Sequence, residues 1–207
     1  MSAITLGERY ARTRYEVFKW RYHLVEAKKL ALAFLMAAVM VILAQVRIPL
    51  PWTPVPITGS TFGAIFAGVL LGNVWGGISM LIYVTLGAAG LPVFTGLKGG
   101  AAVLFGPTAG YLIGFVAASF LIGYVTDNYA KARKFLSMFN LMLISSALIL
   151  ALGSAYLWIW LSAVKGQGAS LGEVLWMGFI PFIPGDMIKS VIAALIATSI
   201  IPKESYK

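Results

Sequence analysis

Asp186 and Lys189 stand three residues apart at the head of the last apolar run, Pro184-Gly185-Asp186-Met187-Ile188-Lys189-Ser190-Val191-Ile192-Ala193-Ala194-Leu195-Ile196-Ala197. In a chain of 207 residues with seven carboxylates, they are the only opposite charges that fall inside a predicted membrane span. Pro184 suits the first turn of a helix, so acid and ammonium share one face, one turn apart. At a bilayer centre each charge costs about 2.5 to 3.5 kcal/mol on insertion scales, so such a pair faces protein or a water-filled cavity. The pair therefore marks a candidate binding site. The competing reading is an intramembrane ion pair that satisfies only itself.

The elements that must position this pair follow from composition. Hydrophobic residues make up 60% of the chain and charged residues 11%, with a mean hydropathy of +0.89, whereas soluble chains carry about 25% charged residues. This is the composition of an integral membrane protein. The apolar runs are continuous rather than alternating, which argues for helices of roughly 20 residues and against an outer-membrane barrel. The net charge of +9 does not call for nucleic acid, because the bases are placed by topology. Seven of the 16 (Arg9, Arg12, Arg14, Lys19, Arg21, Lys28, Lys29) precede the first span, three (Lys131, Arg133, Lys134) follow the fourth, and two (Lys203, Lys207) follow the last. Only Arg47, Lys98 and Lys165 fall in the alternate loops. That asymmetry predicts both termini in the cytoplasm and an even number of spans.

The expected fold is all-α: a membrane bundle of six transmembrane helices with an amphipathic interfacial helix before it. Residues 1–29 form the basic arm, with Ala11, Tyr15, Phe18, Tyr22 and Val25 on one face and Arg12, Glu16, Lys19 and His23 off it. Residues 30–207 form the membrane domain. Spans are predicted at about 30–46, 59–71, 74–89, 107–125, 135–161 and from Pro184 on. Ala33 and Ala37 on the first span let another helix approach closely. Gly59, Gly63 and Ala67 do so on the second, and Gly110, Gly114 and Ala118 on the fourth.

Two outer loops are built for more than connection. Residues 47–58 hold four prolines and cannot form a regular helix, making a stiff, partly apolar lid that carries Trp52. Residues 90–108 hold five glycines and two prolines, Pro92 and Pro107, a backbone able to bend into a cavity and offer amides. No GxxxxGK[ST] pattern occurs, so the chain has no P-loop of its own. It has no cysteine, hence no disulfide or thiolate metal site, and no metal is expected. Tyr156, Trp158 and Trp160 read as an outer aromatic belt.

Together these stretches resemble the BioY family, the biotin-specific substrate-binding (S) components of energy-coupling factor (ECF) transporters. The resemblance lies in Val55-Pro56-Ile57-Thr58, Leu86-Gly87-Ala88-Ala89-Gly90-Leu91-Pro92-Val93-Phe94, Gly99-Gly100, Leu104-Phe105-Gly106-Pro107-Thr108-Ala109-Gly110-Tyr111 and Pro184-Gly185-Asp186-xx-Lys189, in order over most of the chain. Gly59-Ser60 departs from the Leu-Gln pair common after Pro-Ile-Thr, so no glutamine contact is carried over there, and the basic arm is longer than usual.

The resemblance implies a multi-pass protein of a prokaryotic cell membrane that captures biotin outside. Delivery would then be powered by an ECF transmembrane coupling subunit with two ATP-binding subunits. Biotin would be cargo, with no cofactor and no enzyme activity. Asp186 would accept from the ureido nitrogens and Lys189 donate to the ureido oxygen; a rival assignment puts Lys189 on the valerate carboxylate. Tyr111, Thr95 and Lys98 would add polar contacts, and Trp52, Phe94 and Phe105 would cover the thiophane ring and chain. The Ala33 and Ala37 face becomes the expected docking surface for the coupling subunit. Alternatives are an S component for thiamine or riboflavin, a retinal-type photoprotein using the buried lysine, and an intramembrane enzyme.

Overall fold

In lipid every backbone N–H and C=O must be paired within the chain, so continuous apolar runs fold as helices and proline-rich or glycine-rich stretches become the connections. The computed structural model describes residues 6–202 apart from Lys165 and Gln167. Lys165, Lys203 and Lys207, counted above for topology, lie outside the described residues, as do the side chains of Ala11, Arg21 and Tyr22. The helices are α1 (Leu6–His23), α2 (Glu26–Gln45), α3 (Ser60–Ala88), α4 (Ala109–Asn128), α5 (Phe135–Val164), α6 (Leu171–Gly178) and α7 (Ile183–Ile200). A two-residue antiparallel pair, β1 (Arg47–Ile48) with β2 (Ile57–Thr58), closes the proline-rich connection with Arg47 opposite Thr58. Among the described residues, five stretches can cross a membrane by length and composition: Glu26–Gln45, Ser60–Ala88, Ala109–Asn128, Phe135–Ala163 and Leu171–Ile200.

α3 is not one rod. Gly72 leaves the helical region at φ 83°, ψ −174°. A Cβ on Gly76 would lie 2.6 Å from the Cα of Gly68, two positions that a straight helix would hold about 12 Å apart. The element is therefore a hairpin of segments 60–71 and 73–88, with glycine on both inner faces where the backbones meet. Asp127 of α4 accepts from the Asn73 amide at 3.0 Å, capping the second segment across space. Any side chain at Gly72 would meet that carboxylate and would have to adopt the left-handed φ as well. α4 then lies along the hairpin, with Gly68 beneath the Ser119 carbonyl and Gly123 against the Gly72-Asn73 turn. Ser119 Oγ donates to the Ala64 carbonyl at 2.9 Å. With the hairpin counted as two, the described residues hold six apolar helical segments.

α2 packs on the first half of α3 through Ala33, Met36, Ala37, Met40 and Ala44. Ala33 and Ala37 are 0% and 1% exposed, which corrects the expectation that they form a docking surface. Their face is turned into the bundle, and further along α2 the residues Met40 and Leu43 meet Gly63 of α3, which has no side chain to hold them off. Phe34, Leu35, Val39 and Ile42 form the exposed side of α2.

The end of the bundle that carries the termini is held by cations and a phenol acting on helix C-termini, where carbonyls lack intrahelical partners. Arg133, assigned above to a loop by topology, is 1% exposed. It donates from Nε to Thr126 O at 2.8 Å, from Nη2 to Asp127 O at 3.3 Å and from Nη1 to Pro202 O at 3.4 Å, joining α4 to the end of α7. The basic arm docks in the same way. Tyr10 donates to Ser199 O, Arg14 Nη1 reaches Thr198 O at 3.3 Å, and Phe18 is buried. Replacing Arg133 by leucine should cost about 2 to 3 kcal/mol, the range for hydrogen bonds to a charged group, read as a lowered melting temperature in detergent. A melting temperature equal to the parent's would remove this role.

Candidate functional site

At the opposite end from the termini, the connections α2–α3, α3–α4 and α5–α7 gather over a cavity of about 230 Å³. Its apolar wall includes Tyr83, Phe94, Val103, Leu112, Phe115 and Phe182. Its polar groups include Thr58, Ser60, Thr61, Thr95, Thr108 and Tyr111. Arg47 and Lys98 are the only charged residues on the lining among the described residues.

Each wall element is placed for a local reason. Phe94 is buried because Gly87 leaves room for its ring, which meets Tyr83 edge-on at 5.5 Å between centroids. The Tyr111 ring lies 6.4 Å from that of Phe182, and its hydroxyl donates to Gly178 O at 2.7 Å. That hydroxyl is spent on pinning the end of α6, leaving only its acceptor lone pair for a ligand. α6 was not anticipated in the fifth connection. Ser170 and Glu173 form a reciprocal cap at its start, with Ser170 N to Glu173 Oε2 at 2.8 Å and Glu173 N to Ser170 Oγ at 3.3 Å. The S-x-x-E spacing ahead of an apolar run is a start signal visible in the sequence.

The predicted site residues divide. Phe94, Thr95, Lys98 and Tyr111 line the cavity. Trp52 and Phe105 do not: they are 51% and 72% exposed, on the outer sides of their connections, which corrects their expected place over a ligand. Nor are Asp186 and Lys189 on the lining; they stand one layer behind it. Lys189 Nζ donates to Asp186 Oδ1 at 2.7 Å and to the Thr58 carbonyl at 2.8 Å, and Thr58 is a lining residue. Asp186, 4% exposed, also accepts from Ser146 of α5 on its second oxygen. The pair is thus polar on every contact named, and it fastens α7 to the first connection.

Trp158 Nε1 donates to Ala169 O at 3.0 Å, and Tyr156 OH reaches Leu104 O at 3.4 Å. These two belt aromatics therefore also tie down connections. Three residues missed by pattern reading matter here. Arg47 shows in the sequence only as a loop charge, Ser146 is one hydroxyl in an apolar helix, and Gln45 is a lone amide at a helix end. None sits in a motif.

Comparison with known proteins places this arrangement. The model of the BioY family matches residues 16–205. A protein of Methanothermobacter thermautotrophicus named as a probable biotin transporter BioY is 48% identical over 143 residues, covering 68% of this chain and 90% of the relative. The biotin transporter BioY of Thermotoga maritima is 37% identical over 170 residues, 82% of this chain and 94% of the relative. The crystal structure of the S-component for biotin from an ECF-type ABC transporter superposes with a TM-score of 0.73 at 32% identity, covering 84% of this chain and 90% of that one.

Proposed function

The chain belongs to the BioY family, and from that we propose that it is the S component of an ECF-type transporter, a multi-pass membrane protein that captures biotin for uptake. It is a transport component and not an enzyme, and biotin is its cargo. The observation that carries the reading is the chemistry of the cavity, an apolar chamber with hydroxyls whose only charged lining residues, among the described residues, are the cations Arg47 and Lys98. Biotin has a neutral bicyclic head, an aliphatic chain and one carboxylate, and each part finds a counterpart there.

Arg47 and Lys98 take the valerate carboxylate, because both already line the chamber whereas Lys189 is held behind it. The ureido group goes to the Thr58 side. Asp186 and Lys189 stand one layer behind that wall, so they meet the ureido group only where Thr58 gives way: a ureido oxygen then replaces the Thr58 carbonyl on Lys189, and the ureido N–H groups use lone pairs left on Asp186. Tyr83, Phe94, Phe115 and Phe182 surround the thiophane ring and chain, and Thr95 and Tyr111 supply the remaining polar contacts. Both termini face the cytoplasm in this reading, with the chamber toward the outside. A transmembrane coupling subunit with two ATP-binding subunits supplies the energy; its contact surface is the exposed side of the bundle, since Ala33 and Ala37 are buried.

The reading is tested by equilibrium binding of labelled biotin to the purified protein in nanodiscs, with thiamine and riboflavin as competitors. Displacement by either, or absence of biotin binding with retention of one of them, would transfer the protein to another vitamin. A second measurement tests orientation. Arg47→Ala and Lys98→Ala should each weaken biotin about tenfold, the loss of one charge-assisted hydrogen bond, and leave biotin methyl ester unchanged. Equal losses for acid and ester would sink the assignment of the carboxylate.

A further inference from the structure

Gln45, the last residue of α2, joins two segments far apart in sequence. Its Oε1 accepts from the amides of Gly96 and Leu97, each at 3.1 Å. Its Nε2 donates to Val41 O at 3.2 Å and Phe94 O at 3.2 Å, and reaches Val93 O at 3.5 Å. A carboxamide alone among uncharged side chains offers an sp² acceptor and two donors together, so it can serve amides and carbonyls of one turn at once.

The turn it holds is tight. Phe94 N donates to Lys98 O at 2.9 Å and Lys98 N to Phe94 O at 3.3 Å, leaving Thr95, Gly96 and Leu97 as its tip. Gly96 has φ 77° and Leu97 φ 56°. Glycine adopts that region freely, but leucine does not, and Leu97 is 66% exposed, so packing does not keep it there. The bonds from Gln45 do. Phe94, Thr95 and Lys98, the residues flanking or opening this tip, are all part of the chamber wall.

We propose that Gln45 is a positioning residue for ligand retention: it holds the 93–98 turn shut over the chamber and thereby sets how fast ligand escapes. This rests on the chamber being the biotin site. Gln45→Met keeps the side chain's size and loses both hydrogen-bonding functions, whereas Gln45→Glu keeps the acceptor and loses the donor. Two readouts are taken in nanodiscs: amide hydrogen exchange across 93–98 without ligand, and dissociation of labelled biotin.

In Gln45→Met, Gly96 and Leu97 should exchange about tenfold faster and biotin should leave about tenfold faster, as expected for two lost hydrogen bonds. The association rate and melting temperature should stay near the parent's, and Gln45→Glu should restore protection at both amides. Unchanged exchange and release in Gln45→Met would overturn the proposal. So would faster release in both variants accompanied by an equal fall in melting temperature, which would assign Gln45 to packing alone. A parent protein that retains no biotin would remove the ligand reading, and the exchange measurement would still decide whether Gln45 holds the turn.

Discussion

Lys189→Met is expected to abolish measurable biotin retention and to lower stability by about 3 to 5 kcal/mol, the cost of leaving a buried charge without its partner. Asp186 would keep only the Ser146 hydroxyl, in a site where it is 4% exposed. The informative companion is the double variant Asp186→Leu/Lys189→Met. Replacing a buried ion pair by apolar residues of similar volume is often neutral or stabilising, so its melting temperature should return to the parent's or exceed it. Biotin affinity should remain reduced by at least about 100-fold, because the ureido group has lost its acceptor and donor. Thermal melting without ligand and titration with biotin separate the two roles. A double variant that recovers binding together with stability would show that the pair only braces α7 against Thr58.

Gly76→Ala should prevent folding. The added Cβ would sit 2.6 Å from Gly68 Cα and 2.9 Å from both Ala67 O and Gly68 N. All three are backbone atoms with no rotamer to yield. Relief requires the two segments of α3 to part, which draws Gly68 away from Ser119 and the Gly72 turn away from Gly123. A loss beyond about 4 kcal/mol is expected, seen as absence of a monodisperse peak in size-exclusion chromatography. Gly168→Ala is the control, since nothing lies within 4 Å of a Cβ there; it should stay within about 0.5 kcal/mol of the parent. A Gly76→Ala protein that melts within a degree or two of the parent would refute the hairpin packing.

Much of this architecture is legible in the sequence, for physical reasons that can be named. The apolar runs mark the helices because lipid admits no unpaired backbone, and Gly72-Asn73 marks the hairpin turn because two short runs flank it. Boundaries are less legible. α4 continues to Asn128 beyond the expected end near Val125, and α2 starts at Glu26 rather than Leu30. Apolar content ends where the membrane does, whereas a helix ends where its hydrogen bonds do.

The chamber is half legible. Phe94, Thr95, Lys98 and Tyr111 were placed by their loop motifs, but the face of an exposed turn cannot be read from spacing, and Trp52 and Phe105 turn outward. Ala33 and Ala37 show the limit most clearly. A pair of alanines four apart announces a close neighbour without saying whether it comes from the same chain. Gln45, Ser146 and, at Pro202, Arg133 act through backbone carbonyls and amides or a single carboxylate supplied by distant segments, and such partners have no sequence signature.

The three connections over the chamber are each tied to a helix other than those they join. The first is held by Lys189 of α7, the second by Gln45 of α2, and the third by Tyr111 of α4. The ties interlock like overlapping shutters whose cords run to rods across the frame. A tilt of α7, α2 or α4 would therefore act on a connection that the tilting helix does not itself join.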